Sequence, residues 1–319
     1  MSASYRKIDY RLRIAKSVER RMMCYLFQQL AIFHSLKEYN YVGFGSVSFG
    51  DFALFHRVLG IDKMVSIERE NSDVLRFQFN KPYECIRLEF GESKDILPNL
   101  AEIEEKCIVW LDYDGKLETL MLDDIDHLFG KLPSGSMFCI SFNSHQDDDR
   151  IENRYDQLAK RIDHRYFPLH LNRESNLNKK ELKQTYYDII DNVILQTLEF
   201  RRANADLVKY QQLLHIDYSD GVDMTTLGWL IYNEEDQQKV DLLTNGHPSF
   251  VRTGATPFVI TVPILTFKEM KTIETTFPNI DSCLQKFDKN KKGGFLPESD
   301  IINFHNIYKY LSLFGEVYI

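Results

Sequence analysis

Three main stretches of the chain, with two shorter ones beside them, hold residue types able to bind or react with a ligand. The first is Tyr41-Val42-Gly43-Phe44-Gly45-Ser46. Two glycines spaced by one residue let a backbone turn sharply and come close to a ligand. Ser48 stands at the third position of a dinucleotide fingerprint, which lowers the case for a nicotinamide site. The second stretch is Met64–Glu68, whose closing acid is placed to accept the two hydroxyls of an adenosine ribose. Beyond it, Phe90-Gly91-Glu92-Ser93 adds a glycine and small polar groups suited to contact with an adenine ring. The third is Trp110-Leu111-Asp112-Tyr113-Asp114-Gly115. In an extended backbone Asp112 and Asp114 share a face, where they could bind a metal or a ligand amine, or act as a general base. Asn143-Ser144-His145 brings an amide and an imidazole beside that pair. Each stretch also has a plainer reading: Glu68 as a solvated strand-end acid, Asp112–Asp114 as an Asx-type turn, His145 as a structural or solvated histidine.

These residues need a scaffold that brings them to one edge. From residue 40 the sequence alternates short apolar runs with helical stretches. Tyr41–Gly45, Met64–Glu68, Glu84–Phe90, Cys107–Asp112 and Ser136–Asn143 read as strands. Asp51–Leu59, Asn71–Asn80 and Leu117–Phe129 read as helices between them. That rhythm predicts βαβ units, a parallel sheet and right-handed crossovers, with ligands at the carboxyl ends of the strands. Then the rhythm breaks. Gln146–Pro168 is charged and irregular, the best candidate for an inserted loop or lid, and residues 178–203 form one long helix. Tyr210–Tyr218 and Met224–Tyr232 flank Ser219-Asp220-Gly221, a turn suited to an antiparallel hairpin.

Ahead of this region, no Gly or Pro precedes Gly43. Ile14, Val18, Met22, Leu26 and Leu30 recur at helical spacing on one face. The opposite face is basic, with Arg6, Lys7, Arg11, Arg13, Lys16, Arg20 and Arg21 against Asp9 and Glu19. A solvated helix face is the plainer reading, and a phosphate-bearing ligand or an acidic partner the sharper one. The expected organisation is therefore a helical segment over 1–39, a Rossmann-like domain over 40–233 with an insert near 146–176, and an appendage over 234–319. The appendage holds a strand-like Pro257–Leu265, two short helices and an apolar strand at Phe314–Ile319. Asp288-Lys-Asn290-Lys-Lys292-Gly293 begins like a calcium loop, but Lys292 and Ser299 stand where oxygen ligands are required, so a turn is expected there.

The βα run, long helix and terminal hairpin resemble the class I S-adenosylmethionine-dependent methyltransferases, an α/β fold with a seven-stranded, mostly parallel sheet whose last strand is antiparallel. In that resemblance Gly43, Gly45, Glu68, Gly91 and Asp112 bind S-adenosylmethionine. Asp112, Asp114 and His145 are the catalytic candidates. The stretch GFGSVSFGDFALFHRVLGIDKMVSIE is also similar to a bacterial group labelled O-methyltransferases. The implied activity is methyl transfer to an oxygen or another nucleophile. The alternative is a non-catalytic or partner-dependent subunit on the same scaffold, in a bacterial defence or modification system. The departures are specific. Asn40 and the pair Tyr41-Val42 stand where such enzymes commonly carry an acid. Neither an N/D-P-P-Y/F motif nor a Pro-Cys dipeptide is present, which argues against the amino-nitrogen and cysteine-nucleophile DNA methylases. Phe142 stands where the metal-dependent catechol-type enzymes carry an Asp, so no metal is assigned.

Composition bounds the remaining classes. With 319 residues, 44% apolar and 27% charged, the chain can bury a full core without staples. Its 39 basic and 47 acidic residues give a net charge of −8, which disfavours a nucleic-acid-gripping surface. No apolar run is long enough to span a bilayer, and MSASYRKIDYRLR lacks the apolar core of a secretion signal. Cys24, Cys85, Cys107, Cys139 and Cys283 form no C-x-x-C pair. A reduced, cytoplasmic protein is expected, with a protein partner or a second copy docking through the N-terminal helix or the C-terminal appendage.

Overall fold

The computed structural model describes residues 13–69, 71–148, 150–204 and 206–312. Strands β1 (Asn40–Gly43), β2 (Lys63–Glu68), β3 (Ile86–Phe90), β4 (Cys107–Lys116) and β5 (Met137–Asn143) all run parallel. A hairpin of β6 (Val208–Ser219) and β7 (Asp223–Asn233) follows, and β7 pairs with β5 antiparallel. The sheet order is β3-β2-β1-β4-β5-β7-β6-β8, the last being Phe258–Ile260. The crossover between β3 and β4 returns the chain past β1, so strand order reverses beside the glycine turn. That is where an open α/β sheet leaves a crevice.

The sheet has eight strands where seven are expected. The eighth, β8 (Phe258–Ile260), comes from the C-terminal region and pairs with β6 in parallel. Phe258 and Ile260 are buried while Val259 points outward, the alternation of a strand covering one face. The strand falls within the expected Pro257–Leu265, here shortened to three residues, while its place beside β6 does not follow from the sequence because the partner is distant in the chain.

Helices cover both faces. On one lie α1 (Ile14–Gln29), α2 (Gly50–Leu59) and α3 (Val74–Asn80), joined later by α8 (Gln237–Thr244). On the other lie α4 (Ser93–Ile96), α5 (Thr119–Lys131), α6 (Ile151–Arg161) and α7 (Lys179–Ala203). Val18, Met22, Leu26 and Leu30 are all buried, and such side chains stabilise by about 1.5–3 kcal/mol each, so α1 is held to the sheet. Ile14 is the exception, exposed at the start of the stripe. The basic face is not uniformly solvated either: Lys16 and Glu19 are both buried. Arg6, Lys7 and Arg11 lie outside the described residues.

The region 146–176 is not a loose insert. Leu158 and Ile162 sit in the core, and Asp147 is gripped by Lys116 at 2.8 Å and by Arg161 at 2.7 Å. Asp147 and Arg161 spend their charge inside the fold, while residues such as Arg150, Arg165 and Arg173 stay exposed. At the C-terminal end α9 (Phe267–Glu274), α10 (Ile280–Phe287) and α11 (Glu298–Ile307) gather around a small core of their own, built on Ile273, Cys283, Phe287 and Phe304. The turn at Asp288 is an Asx turn, with the carboxylate accepting the Asn290 N–H. The expected strand Phe314–Ile319 lies outside the described residues. All five cysteines are free thiols, and no helix among the described residues is long and apolar enough to cross a membrane.

Candidate functional site

The glycine turn after β1 is shaped by its own packing. A Cβ on Gly43 would lie 2.8 Å from the Tyr41 hydroxyl and 3.0 Å from the Trp110 carbonyl oxygen. On Gly45 it would meet the Phe49 ring at 2.5 Å and Ser66 Oγ at 2.7 Å. Contacts this short admit a side chain only if the neighbouring groups shift, so the protein's own packing favours glycine at both positions. Ser46 and Phe49 hold left-handed backbone, φ 50° and 46°, which is strained for residues other than glycine. Beneath the turn Tyr41 donates its hydroxyl to Asp51, at the start of α2. An acid is thus present under the turn, supplied from α2 and not from the residue ahead of Gly43.

Glu68 is bound into the same turn. Gly45 N donates to Ser66 Oγ at 3.0 Å, and that hydroxyl donates to Glu68 Oε1 at 2.7 Å. The carboxylate is only 6% exposed, and burial pushes its pKa up to about 7 against the favourable hydrogen bonds from Ser66 and the turn amides. Ser46 Oγ is buried without a hydrogen-bond partner. An orphaned hydroxyl beside a buried carboxyl at a strand-order reversal suits a polyhydroxylated ligand such as a ribose. Gly91 closes this side: its N–H donates to the Glu68 carbonyl at 3.0 Å and its φ is 155°.

On β4, Asp112 is half-buried and Asp114 exposed, and the register against β5 shifts between Asp112 and Lys116, so simple strand alternation does not carry through the pair. Tyr113 points to the other face, where it donates to Asp124 and packs edge-on against Phe44 at 5.0 Å. That ring contact ties the glycine turn to β4. Asp112 has a partner the sequence reading missed. Lys16 Nζ lies 2.7 Å from Asp112 Oδ1 and 2.8 Å from Glu19 Oε2, 4.5 Å above the Trp110 ring. Burial opposes the ammonium charge, but the two carboxylates outweigh it and raise the Lys16 pKa above the ordinary lysine range. Lys16 is therefore a fixed cation, not a proton acceptor. The signal available in sequence was a lysine three residues before a glutamate on an apolar stripe, which reads equally as an ordinary surface pair.

His145 sits just beyond β5, exposed, with Nδ1 3.3 Å from Asp223 Oδ2 at the start of β7. The Asn143 amide oxygen accepts the His145 backbone N–H at 2.8 Å. A separate open cleft of about 780 Å³ lies at the β6–β8 end of the same edge. Lys179, Lys183, Asp217 and Asp223 line one wall, and Val259–Leu265 with Ile14 line the other. None of the sequence-derived site residues lines it. Its link to them is Asp223, which holds both Lys179 and His145.

Parallel strands in the order 3-2-1-4-5 with an antiparallel seventh strand inserted before the sixth define a Rossmann-like methyltransferase sheet, here with one strand added. The family model described as "Putative O-methyltransferase" matches residues 8–319, and the chain belongs to that family. No curated protein matches the sequence. Among solved structures, the chain is similar to an O-methyltransferase from Bacillus cereus in complex with SAH. The identity is 14% with TM-score 0.35, covering 65% of this chain and 80% of that one. It is also similar to the O-methyltransferase TomG from Streptomyces achromogenes with SAM, at 14% identity and TM-score 0.38, covering 72% and 94%. A third is Trm1 from Pyrococcus horikoshii with S-adenosyl-L-methionine, at 8% identity and TM-score 0.46, covering 81% and 67%.

Proposed function

We propose that the chain binds S-adenosylmethionine along the carboxyl ends of β1–β4 and transfers its methyl group to an oxygen of an acceptor held over β4–β7. The observation that carries this reading is the Gly45–Ser66–Glu68 hydrogen-bond chain at the strand-order reversal. Bound there, S-adenosylmethionine supplies an electrophilic methyl group on a sulfonium. The residues supply the rest. Gly43 and Gly45 let backbone approach the ligand, Glu68 and Ser46 offer groups to ribose hydroxyls, and Gly91 leaves room beside them. Asp112 and Asp114 place negative charge at the transfer point, which favours a cationic donor over a neutral one. His145, oriented by Asp223, takes the acceptor's hydroxyl proton. Methyl transfer then rests mainly on positioning, since an aligned donor and acceptor need little further chemistry from the protein.

The acceptor enters from the cleft at the β6–β8 end, whose wall pairs two lysines with two aspartates opposite an apolar strip. A hydroxylated molecule with one apolar face fits that lining. In this reading residues 40–233 form the catalytic unit, α1 closes it, and the C-terminal region shapes the acceptor side. Five free thiols suit a reducing, cytoplasmic setting.

The test is calorimetric titration of S-adenosylmethionine into the wild-type chain and into Glu68→Ala, with NAD as control and thermal melting to verify folding. Micromolar binding of S-adenosylmethionine that weakens at least tenfold in a folded Glu68→Ala supports the reading. Equal binding in both, or binding of NAD alone, overturns it.

A further inference from the structure

At the amino edge of the sheet, opposite the site above, three unlike donor groups converge. His56 lies in the last turn of α2, which Gly60 ends with φ 70°. Asp62 follows on the short link into β2, and Cys85 stands just ahead of β3. The register Met64↔Ile86 fixes β2 against β3, and Met64 N donates to the Cys85 carbonyl at 3.3 Å. The side chains therefore come from three elements held by the sheet. His56 Nδ1 lies 3.1 Å from Asp62 Oδ1 and 3.7 Å from Cys85 Sγ, and all three donor atoms lie within 4.8 Å of one another.

We propose that His56, Asp62 and Cys85 form a binding site for a borderline-soft divalent metal ion of the zinc type. One nitrogen, one carboxylate oxygen and one thiolate are the donors that zinc takes, and a water completes four-coordination. Ordinary zinc bond lengths in a tetrahedron put nitrogen and oxygen about 3.3 Å apart and nitrogen and sulfur about 3.6 Å apart. The separations of 3.1 and 3.7 Å already approach those edges. A hard cation such as magnesium prefers an all-oxygen shell, and the imidazole and thiol here disfavour that class.

Two proton changes accompany loading. His56 Nδ1 is 2.9 Å from the Ile61 carbonyl, to which it donates in the metal-free form. On loading its proton moves to Nε2, freeing the Nδ1 lone pair. The Cys85 thiol loses its proton to solvent as the sulfur–metal bond forms. The Tyr83 ring, 4.2 Å from the imidazole, restricts how far His56 can turn away. A metal here would clip α2 to β2 and β3 from the edge opposite the glycine turn. It is a site for stability, separate from methyl transfer and independent of that reading.

The test uses the full chain, stripped with chelator, and cobalt(II) followed by zinc(II) as probes. One equivalent of cobalt should give the visible absorption of a tetrahedral site and the near-ultraviolet band of a thiolate ligand, both abolished by one equivalent of zinc. The other four cysteines are buried, so the thiolate band reports on Cys85. Cys85→Ser should lose that band, and Asp62→Ala should weaken zinc binding at least tenfold. Asp62 is well exposed, so its variant keeps the fold. Absence of a tetrahedral spectrum in the wild type, or an unchanged spectrum in Cys85→Ser, overturns the proposal.

Discussion

Lys16 of α1 reaches across to Asp112 at the end of β4, with 2.7 Å between Nζ and Oδ1 and the ammonium fully enclosed. A helix that precedes the sheet in sequence is thereby bound to an acid of the candidate site. Glu19, one turn on, shares the same cation and accepts a hydrogen bond from Thr226 of β7. The cluster crosses three elements and joins the ends of β4 and β7 beneath α1. Its energetic character follows from burial: a charge held this far from water is costly to leave unpaired.

Lys16→Met should therefore destabilise the protein by about 3–5 kcal/mol, because it leaves the Glu19 carboxylate buried without a cation. Urea denaturation measures it. The double variant Lys16→Met/Glu19→Leu should recover a large part of the loss, since a buried pair replaced by apolar groups of similar volume is often near neutral. A single variant as stable as wild type would show that the pair contributes little.

Glu68 sets a pH dependence of definite sign. Its carboxyl ionises near 7 in the folded protein, above the ordinary glutamate value of 4.5 found when unfolded. The folded form thus holds a proton that the unfolded form has already lost. The stability linked to this group is complete below about pH 4.5 and falls as pH rises through 7, by of the order of 3 kcal/mol. Glu68→Gln should remove that slope and be the more stable variant at pH 8. Parallel denaturation of both proteins at pH 5 and pH 8 checks it, and equal pH slopes would contradict it.

Much of this architecture is legible in the residues, and the reasons for the failures are physical. Strands such as Ile86–Phe90 and Met137–Asn143 announce themselves because apolar runs bounded by turns have few other uses in a folded chain. The hairpin was legible for the same reason. Lys16 was not, because a lysine on a helix shows its partner only when the strand it crosses is placed. The strand character of Phe258–Ile260 was legible within Pro257–Leu265, but its place beside β6 depends on pairing across the fold, and the 146–176 region hid its order in ion pairs with residues such as Lys116. The positions of Gly43, Gly45 and Glu68 followed from strand ends. The Ser66 hydroxyl between them did not, since a serine within a strand carries no positional signal.

Gly45→Ala should distort the glycine turn. Its added carbon would press on the Phe49 ring and on Ser66 Oγ, the hydroxyl that joins the turn to Glu68. Overpacking of this kind costs about 1–3 kcal/mol. Calorimetry should show S-adenosylmethionine affinity reduced more than tenfold while the far-ultraviolet spectrum stays native. Undiminished affinity would mean that the turn does not contact the cofactor.

In the proposed mechanism His145 is the base and Asp223, 3.3 Å from its Nδ1, orients it. His145→Ala should slow turnover by about 10²–10⁴, the usual contribution of a positioned general base, and leave cofactor affinity unchanged. Asp223→Asn should retain a fraction of that activity, because the imidazole remains but loses its anionic partner at 3.3 Å. Release of S-adenosylhomocysteine in the presence of hydroxylated acceptors is the readout. If both variants turn over like wild type, the proton leaves by way of Asp114 or water.

Asp220 caps α1 from across the fold. It sits in the β6–β7 turn, and its carboxylate accepts the Lys16 N–H at 3.0 Å and the Ala15 N–H at 3.4 Å. These are amides of the first turn of α1, which the helix cannot satisfy internally and which its own cap residue Arg13 leaves without a side-chain acceptor. A hairpin turn thus caps a helix far away in sequence, with negative charge at the favourable end of the helix dipole. Asp220→Ala should cost about 0.5–2 kcal/mol, the range for losing a capping acceptor. The same change should loosen the start of α1 and with it Lys16, so amide hydrogen exchange should rise over residues 14–18 while β4 stays protected. Faster exchange spread evenly over the sheet would instead indicate general destabilisation, and unchanged exchange at the start of α1 would show that the cap is dispensable.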